Sequence, residues 1–122
     1  MNRLLLGLML LMTATAASAE WMRSGGNDRL IQYVDIATIR RNGNFVKMWH
    51  LTDFNTVQTT DGASYLSQKS QQEYDCKEEK SRILAFSWFD GQMGKGKVVY
   101  SDSSLASGYP FNQRAPANYC GR

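Results

Sequence analysis

Between residues 30 and 101 the sequence alternates between runs of β-branched and aromatic residues and short clusters of turn-forming residues. The runs that predict strands cover residues 30–34, 45–53, 82–89 and 97–101. Turn signals such as Asn42-Gly43 and Asp61-Gly62 separate them and favour tight reversals of the chain. Because strands joined by short turns usually pair with their neighbours along the chain, the sequence predicts a mainly antiparallel sheet.

The predicted strand at residues 45–53 is apolar on both of its faces. Val46 and Met48 alternate onto one face of the strand, and Trp49 and Leu51 alternate onto the other face. Such a strand is expected at the centre of the sheet, covered on each side. The three tryptophans are expected to anchor the core: Trp21, Trp49 and Trp88.

Several segments depart from the strong strand pattern. Residues 35–40 predict one helical turn capped by Asp35. Residues 55–64 are polar and predict an exposed loop. Residues 67–76 alternate, with Glu73 and Asp75 on a solvated face. A sheet of successive hairpins needs another element to cover its apolar face. We expect the tail after residue 101 to be this cover, with at most a short helix near residues 115–119.

The first 19 residues have the composition of a secretory signal peptide. Arg3 precedes an apolar run at residues 4–12 and a small-residue ending at residues 17–19. We expect cleavage between Ala19 and Glu20, which leaves residues 20–122 as a single domain. The apolar run is shorter than the roughly 20 residues that cross a bilayer, and no cysteine lies near the cut. Neither a transmembrane nor a lipid anchor is therefore expected.

Two cysteines, Cys76 and Cys120, lie beyond the predicted cleavage site. An even number of cysteines in an exported chain usually forms disulfides, and this bond would tie the C-terminal tail to the middle of the domain. The alternative is a pair of free thiols at a redox or metal site, although the close Cys-x-x-Cys spacing of such sites is absent.

Residues 91–98, GQMGKGKV, resemble a phosphate-binding loop except at their last position. Val98 stands where such a loop places the Ser or Thr that holds magnesium. The loop also requires a helix after it, whereas residues 97–101 predict a strand. We interpret the glycines as turn positions and expect no bound nucleotide.

The sequence favours a binding protein over an enzyme. His50 is the single histidine and lies inside a predicted strand, so we expect a packed or hydrogen-bonded structural residue. Glu73 and Asp75 are expected to be solvated rather than catalytic. Charges of both signs are mixed along the chain, without the basic run that suggests nucleic-acid binding. No catalytic residue, metal or other cofactor is expected.

The chain resembles the surface-adhesin protein E-like domains of Gram-negative bacteria. The resemblance rests on residues 33–35, 39–41, 46–53, 74–78, 81–84, 86–87 and 94–99. It implies an α+β, mainly β fold with an antiparallel sheet of about six strands. It also implies a short C-terminal helix or coil that packs on one face of the sheet and is tethered by a disulfide between Cys76 and Cys120.

The same resemblance implies a non-enzymatic function. The namesake of the family is a lipid-anchored, dimeric surface protein that binds host matrix proteins such as vitronectin and laminin. We therefore expect an exported protein, periplasmic, secreted or at the cell surface of a Gram-negative bacterium, that binds a host or extracellular-matrix protein, with a homodimer as one expected assembly. The missing lipid-bearing cysteine favours an alternative, a periplasmic accessory, immunity or inhibitor protein that binds another envelope protein.

The candidate binding surface combines a polar segment with basic residues. Its members are Asp61, Tyr65, Arg40, Arg41, Lys95 and Lys97. The basic residues would suit an acidic protein or a glycosaminoglycan. The alternative is that all of these are ordinary solvated charges and loop residues.

Overall fold

The computed structural model describes residues 20–107, 111, 113–114 and 120 of the 122-residue chain. These residues contain seven strands: β1 (Trp21–Gly26), β2 (Leu30–Asn42), β3 (Phe45–Thr60), β4 (Ala63–Asp75), β5 (Lys80–Phe89), β6 (Val98–Asp102) and β7 (Gln113–Arg114). They also contain two short 3-10 helices, η1 (Gln92–Gly94) and η2 (Ser104–Ser107). The predicted signal peptide and the helix expected near residues 115–119 lie outside the described residues.

β1 to β6 lie side by side in chain order, and each is antiparallel to its neighbours. β7 pairs with the beginning of β5, at Lys80 and Ser81. Short turns at residues 43–44 and 61–62 explain this order, because a strand that follows a two-residue turn pairs with the strand before it. The prediction of a mainly β fold with six antiparallel strands is confirmed.

The helical turn predicted at residues 35–40 was wrong. The segment belongs to β2, where Asp35 pairs with Trp49 and Arg40 with Lys47 across an irregular stretch. Asp35 Oδ1 accepts a hydrogen bond from Ala37 N at 3.1 Å, and Thr38 Oγ1 donates to Asp35 O at 2.7 Å. The bond from Ala37 N to the Asp35 carboxylate, which would cap a helix, therefore satisfies the backbone of a bulge instead.

The exposed loop predicted at residues 55–64 was also wrong. β3 continues through Thr60 and β4 begins at Ala63, so only Asp61 and Gly62 form the turn. Both turn residues have positive φ angles, 49° and 81°, as a two-residue type I′ hairpin requires. The polar segment is therefore mostly strand.

The buried core lies chiefly on the central strands. Val34, Val46, Met48 and Tyr74 form one cluster, and Leu51 is fully buried on the opposite face of β3. This burial on both faces agrees with the central position predicted for the strand. The three tryptophans are half-buried and are not members of this cluster: Trp21, Trp49 and Trp88.

A disulfide joins Cys76 to Cys120, as predicted. Near this bond, the Phe111 ring stacks on Phe45 with 5.7 Å between centroids, and the Arg82 guanidinium lies 4.4 Å from the Phe111 centroid. We call this end of the sheet the tethered end, formed by the turns at residues 43–44 and 76–79. Phe111 and the disulfide thus attach the tail to the sheet at two described points.

Candidate binding surface at the arm end

β3 and β4 extend beyond their neighbours as a two-stranded arm, residues 54–66. β2 last pairs with β3 at Leu30 and Phe54, and β5 last pairs with β4 at Phe89 and Ser67. A register shift follows Asp53, and the arm resumes regular pairing at Gln58 opposite Tyr65. Because an isolated two-stranded hairpin is marginally stable in water, the arm depends on packing at its base.

Aromatic rings supply that packing. The Tyr65 ring stacks on Trp88 with 4.3 Å between centroids and an interplanar angle of 11°. Phe54 meets Tyr65 edge-on at 5.8 Å, and Tyr100 of β6 lies 5.1 Å from Trp88. The Tyr65 hydroxyl forms a 3.0 Å hydrogen bond with the hydroxyl of Thr60. Stacked and edge-on ring pairs stabilise beyond simple burial, so these contacts fix the direction of the arm.

Two other reversals of the chain meet the base of the arm. In the turn between β1 and β2, the carbonyl of Arg29 accepts a hydrogen bond from Asn55 N at 3.1 Å. In the loop between β5 and β6, Gln92 Nε2 donates to Phe54 O at 3.1 Å and Met93 N donates to Asp53 Oδ1 at 2.8 Å. We call this assembly the arm end: the arm, the turn at residues 27–29 and the loop at residues 90–97.

The glycine-rich segment of the phosphate-loop resemblance is the loop between β5 and β6, in the predicted strand, turn, strand context. Gly94 and Gly96 have φ angles of 68° and 84°, which explains why glycine stands there. The backbone N–H of Gly94 donates to Ser67 Oγ at 2.8 Å, and that of Lys97 donates to Asp90 Oδ1 at 2.7 Å. These amides are bonded within the protein and do not point together at a phosphate site.

A groove of about 620 Å³ lies between the arm and the turn at residues 27–29. Its lining residues are Asp28, Arg29, Leu30, Phe54, Asn55, Thr56 and Gln58. Leu30 and Phe54 supply apolar surface, two amide side chains supply hydrogen-bonding groups, and one acid stands next to one base. The groove is of the size that small ligands or a few peptide residues fill, and it carries no formal net charge.

Three of the predicted contact residues are exposed at the arm end. Asp61 is in the turn at the tip of the arm, and Lys95 and Lys97 are in the loop between β5 and β6. Tyr65 was predicted as an exposed contact together with them, but it is only 9% exposed and supports the arm from inside.

Arg40 and Arg41 are exposed near the other end of the sheet. Arg40 pairs with Lys47, which is six positions from Asp53 along β3, so about 20 Å separates these two basic residues from the loop that holds Lys95. The structure therefore does not bring the predicted basic residues into one group.

Sequence reasoning missed the apolar residues that are exposed on the arm and beside its base. Val57 on the arm is 61% exposed, and Tyr100 beside Trp88 is 47% exposed. The available signal was the alternation of threonine, valine and glutamine at residues 56–60, which fits a strand better than a loop.

His50 is held inside the sheet, as expected of a structural histidine. Its Nε2 lies 2.9 Å from the hydroxyl of Tyr74, which in turn donates to Gln72 Oε1 at 3.2 Å. Burial lowers the pKa of His50 from 6.5 to about 4, so the ring is neutral at pH 7. Among the residues that the structure describes, no cluster of His, Cys, Asp and Glu could hold a metal ion.

The two helices of the described part of the chain are three and four residues long, and neither could cross a membrane. Residues 21–117 match the family model of surface-adhesin protein E. The match covers most of the chain, which therefore belongs to the surface-adhesin protein E family. Searches of curated proteins and of solved structures found no match.

Proposed function

We propose that this chain is an exported, non-enzymatic protein that binds a host or extracellular-matrix protein at the arm end. The observation that carries the proposal is the arm itself, which projects past β2 and β5 and is held at its base by Tyr65 and Trp88. Membership in a family named for a surface adhesin supports a binding role at the cell exterior.

The surface chemistry of the arm itself, residues 54–66, favours it over the tethered end as the centre of a protein contact. Protein interfaces are enriched in aromatic residues and depleted of charge at their centre. The arm carries one charged residue, Asp61, and has Val57 and the half-exposed ring of Tyr100 beside it. At the tethered end the surface instead carries Lys47 and Arg82 around the buried carboxylate of Glu73.

The groups that a catalytic mechanism would need already have structural partners. The expectation that Glu73 is solvated was wrong, because it is only 7% exposed and accepts hydrogen bonds from Arg82 Nε and Nη2 at 3.0 and 2.6 Å. His50 bonds to Tyr74. A buried carboxylate with an arginine partner and a neutral, desolvated imidazole are suited to holding the sheet together. They support a binding role rather than turnover.

The proposal is tested by placing a charge on the arm. Val57→Glu should weaken binding to immobilised vitronectin or laminin at least tenfold, because an acid in an interface core must lose its water. Ile36→Glu is the matched control, since Ile36 is 47% exposed and lies on β2, away from the arm. It should bind like the unchanged protein.

Two results would contradict the proposal. Equal loss in both variants would exclude the arm as the contact surface. Absence of binding to either matrix protein, together with resistance to protease added to intact cells, would exclude a host partner and favour the periplasmic alternative. Digestion of the protein on intact cells is expected instead.

A further inference from the structure

The side of β3 that faces β2 becomes an open sheet edge along the arm. β2 ends its pairing at Leu30 opposite Phe54, and beyond this pair Asn55 donates two hydrogen bonds on this side, from N to Arg29 O at 3.1 Å and from Nδ2 to Asp28 O at 2.5 Å. Within the described part of the chain, no strand pairs with residues 56–60 on that side. An edge of this kind presents backbone donors and acceptors to any extended chain that approaches.

The two-residue turn identifies which backbone groups point outward. Thr60 and Ala63 flank the turn and so form a hydrogen-bonded pair within the arm. The next pair is Thr59 and Ser64, whose N–H and C=O groups point away from each other to the two outer edges. Thr59 thus presents one donor and one acceptor on the edge beside the groove.

Beyond the irregular stretch between Asp53 and Gln58, the arm lacks the devices by which sheets usually protect their edges. Such devices include lysine, proline, bulges and very short strands. The outer strand β1 has a register shift after Arg23, and the outer strand β6 is only five residues long and ends in Asp102. Residues 54–66 contain no proline and no lysine or arginine, and regular pairing resumes at Gln58. This edge is therefore accessible to another strand.

The groove limits the chemistry of the occupant. Its two charged residues, Asp28 and Arg29, have opposite signs, so their charges balance. The arm beside the groove is uncharged apart from Asp61 at its tip. A polyanion such as a sulfated glycan or a nucleic acid would meet in the groove one arginine balanced by one aspartate, because the exposed Lys95 and Lys97 lie in the loop at residues 90–97 and not in the groove lining. An extended, largely uncharged peptide would match both the electrically balanced groove and the backbone edge.

We infer that a protein partner adds an extended segment as a further strand on the edge of β3 at residues 56–60, with an apolar side chain seated on Leu30 and Phe54. This inference rests on the proposed function and specifies the part of the partner that is recognised. In such strand addition, backbone hydrogen bonds supply affinity. Specificity comes from pockets that accept every second side chain of the added strand.

The test uses a capped peptide of alternating threonine and valine and the same peptide with every second amide methylated. In an NMR titration of the ¹⁵N-labelled protein, the first peptide should shift the amide signals of residues 56–60 and slow hydrogen exchange at Thr59. The methylated peptide should bind at least tenfold more weakly, because it has lost the donors of one edge.

Proline substitutions separate the two edges of the arm. Thr59→Pro removes the outward donor beside the groove and should weaken binding of the first peptide at least tenfold, whereas Ser64→Pro, on the opposite edge, should not. Circular dichroism of both variants checks that the sheet is retained.

Each alternative outcome overturns the inference. No shift at millimolar peptide, equal binding of the methylated peptide, or equal loss in the two proline variants would exclude strand addition at this edge. Concentration-dependent protection of the same amides without peptide would show a second copy of the chain as the occupant. All of these leave the comparison of Val57→Glu with Ile36→Glu unaffected, so the two proposals can fail separately.

Discussion

The two ends of the sheet are held by different kinds of interaction. At the tethered end a disulfide, a buried apolar cluster and the 2.6 Å contact between Arg82 and Glu73 act together. At the arm end the contacts are stacked rings and hydrogen bonds, and the turn needs only Asp61 and Gly62.

Under the proposed function, this difference separates stability from recognition. Covalent and charged contacts make the tethered end costly to open, and they occupy the polar groups there. The arm end keeps its direction through Tyr65 and Trp88 while it leaves a backbone edge and a groove accessible. A partner can therefore bind the arm without disturbing what stabilises the domain.

The largest effect is expected from opening the disulfide. Cys120→Ser should lower the free energy of unfolding by about 4 kcal/mol, because the bond closes a loop with a sequence separation of 44 residues. Urea unfolding under oxidising conditions measures the change, and the double variant with Cys76→Ser should match the single one. An unchanged melting temperature would contradict the stabilising role of the disulfide. Faster amide hydrogen exchange confined to the arm in Cys120→Ser would contradict the separation of the two ends.

A core substitution should have the next largest effect. Met48 is fully buried, so Met48→Ala should destabilise the fold by about 3 kcal/mol through lost burial and the cavity left behind. Val57→Ala on the arm removes an exposed side chain and should stay within about 0.5 kcal/mol. Similar losses in the two variants would mean that the arm is part of the core.

Acid should weaken the sheet through His50. Its folded pKa, about 4, lies below the unfolded value, so the unfolded state binds more protons between pH 6.5 and 4. The contribution of neutral His50 to the free energy of unfolding is therefore present above pH 6.5 and is lost as the pH falls. The loss is about 2 kcal/mol between pH 7 and pH 5. In His50→Gln, urea unfolding should lose that part of the pH dependence. An equal dependence of the unfolding free energy on pH in both proteins would exclude His50 as the source of the acid sensitivity.

The smallest effect is expected at the arm. Thr60→Val keeps a β-branched side chain but removes the hydrogen bond to the Tyr65 hydroxyl, at a cost of about 1 kcal/mol. Hydrogen exchange of amides in residues 58–65 should become roughly fivefold faster, while exchange in the Met48 region stays unchanged. Faster exchange throughout the sheet would show that the arm and the core unfold together.

The sequence predicted what depends on local pattern. The apolar runs at residues 45–53 and 82–89 predicted strands, and the even number of cysteines favoured the disulfide. The helical turn predicted at Asp35 was wrong because its carboxylate accepts the same local hydrogen bond in a helix cap and in a bulge.

The arm could not be predicted because it depends on contacts distant in sequence. Tyr65 is buried by Trp88, and nothing near either residue in the sequence indicates that their rings stack. The separation of Arg40 from Lys95 likewise follows from strand register, which places Arg40 near the tethered end and the loop that holds Lys95 at the arm end. Local polarity correctly indicated exposure at residues 55–64 but not their pairing.

The most direct test of the account is a map of amide hydrogen exchange with and without bound vitronectin or laminin, whichever binds more tightly. We expect protection to increase at residues 54–66 and in the turn at residues 27–29, with no change at residues 40–47 and 73–82. Protection confined to the tethered end, around Arg40 and Arg41, would contradict the assignment of recognition to the arm.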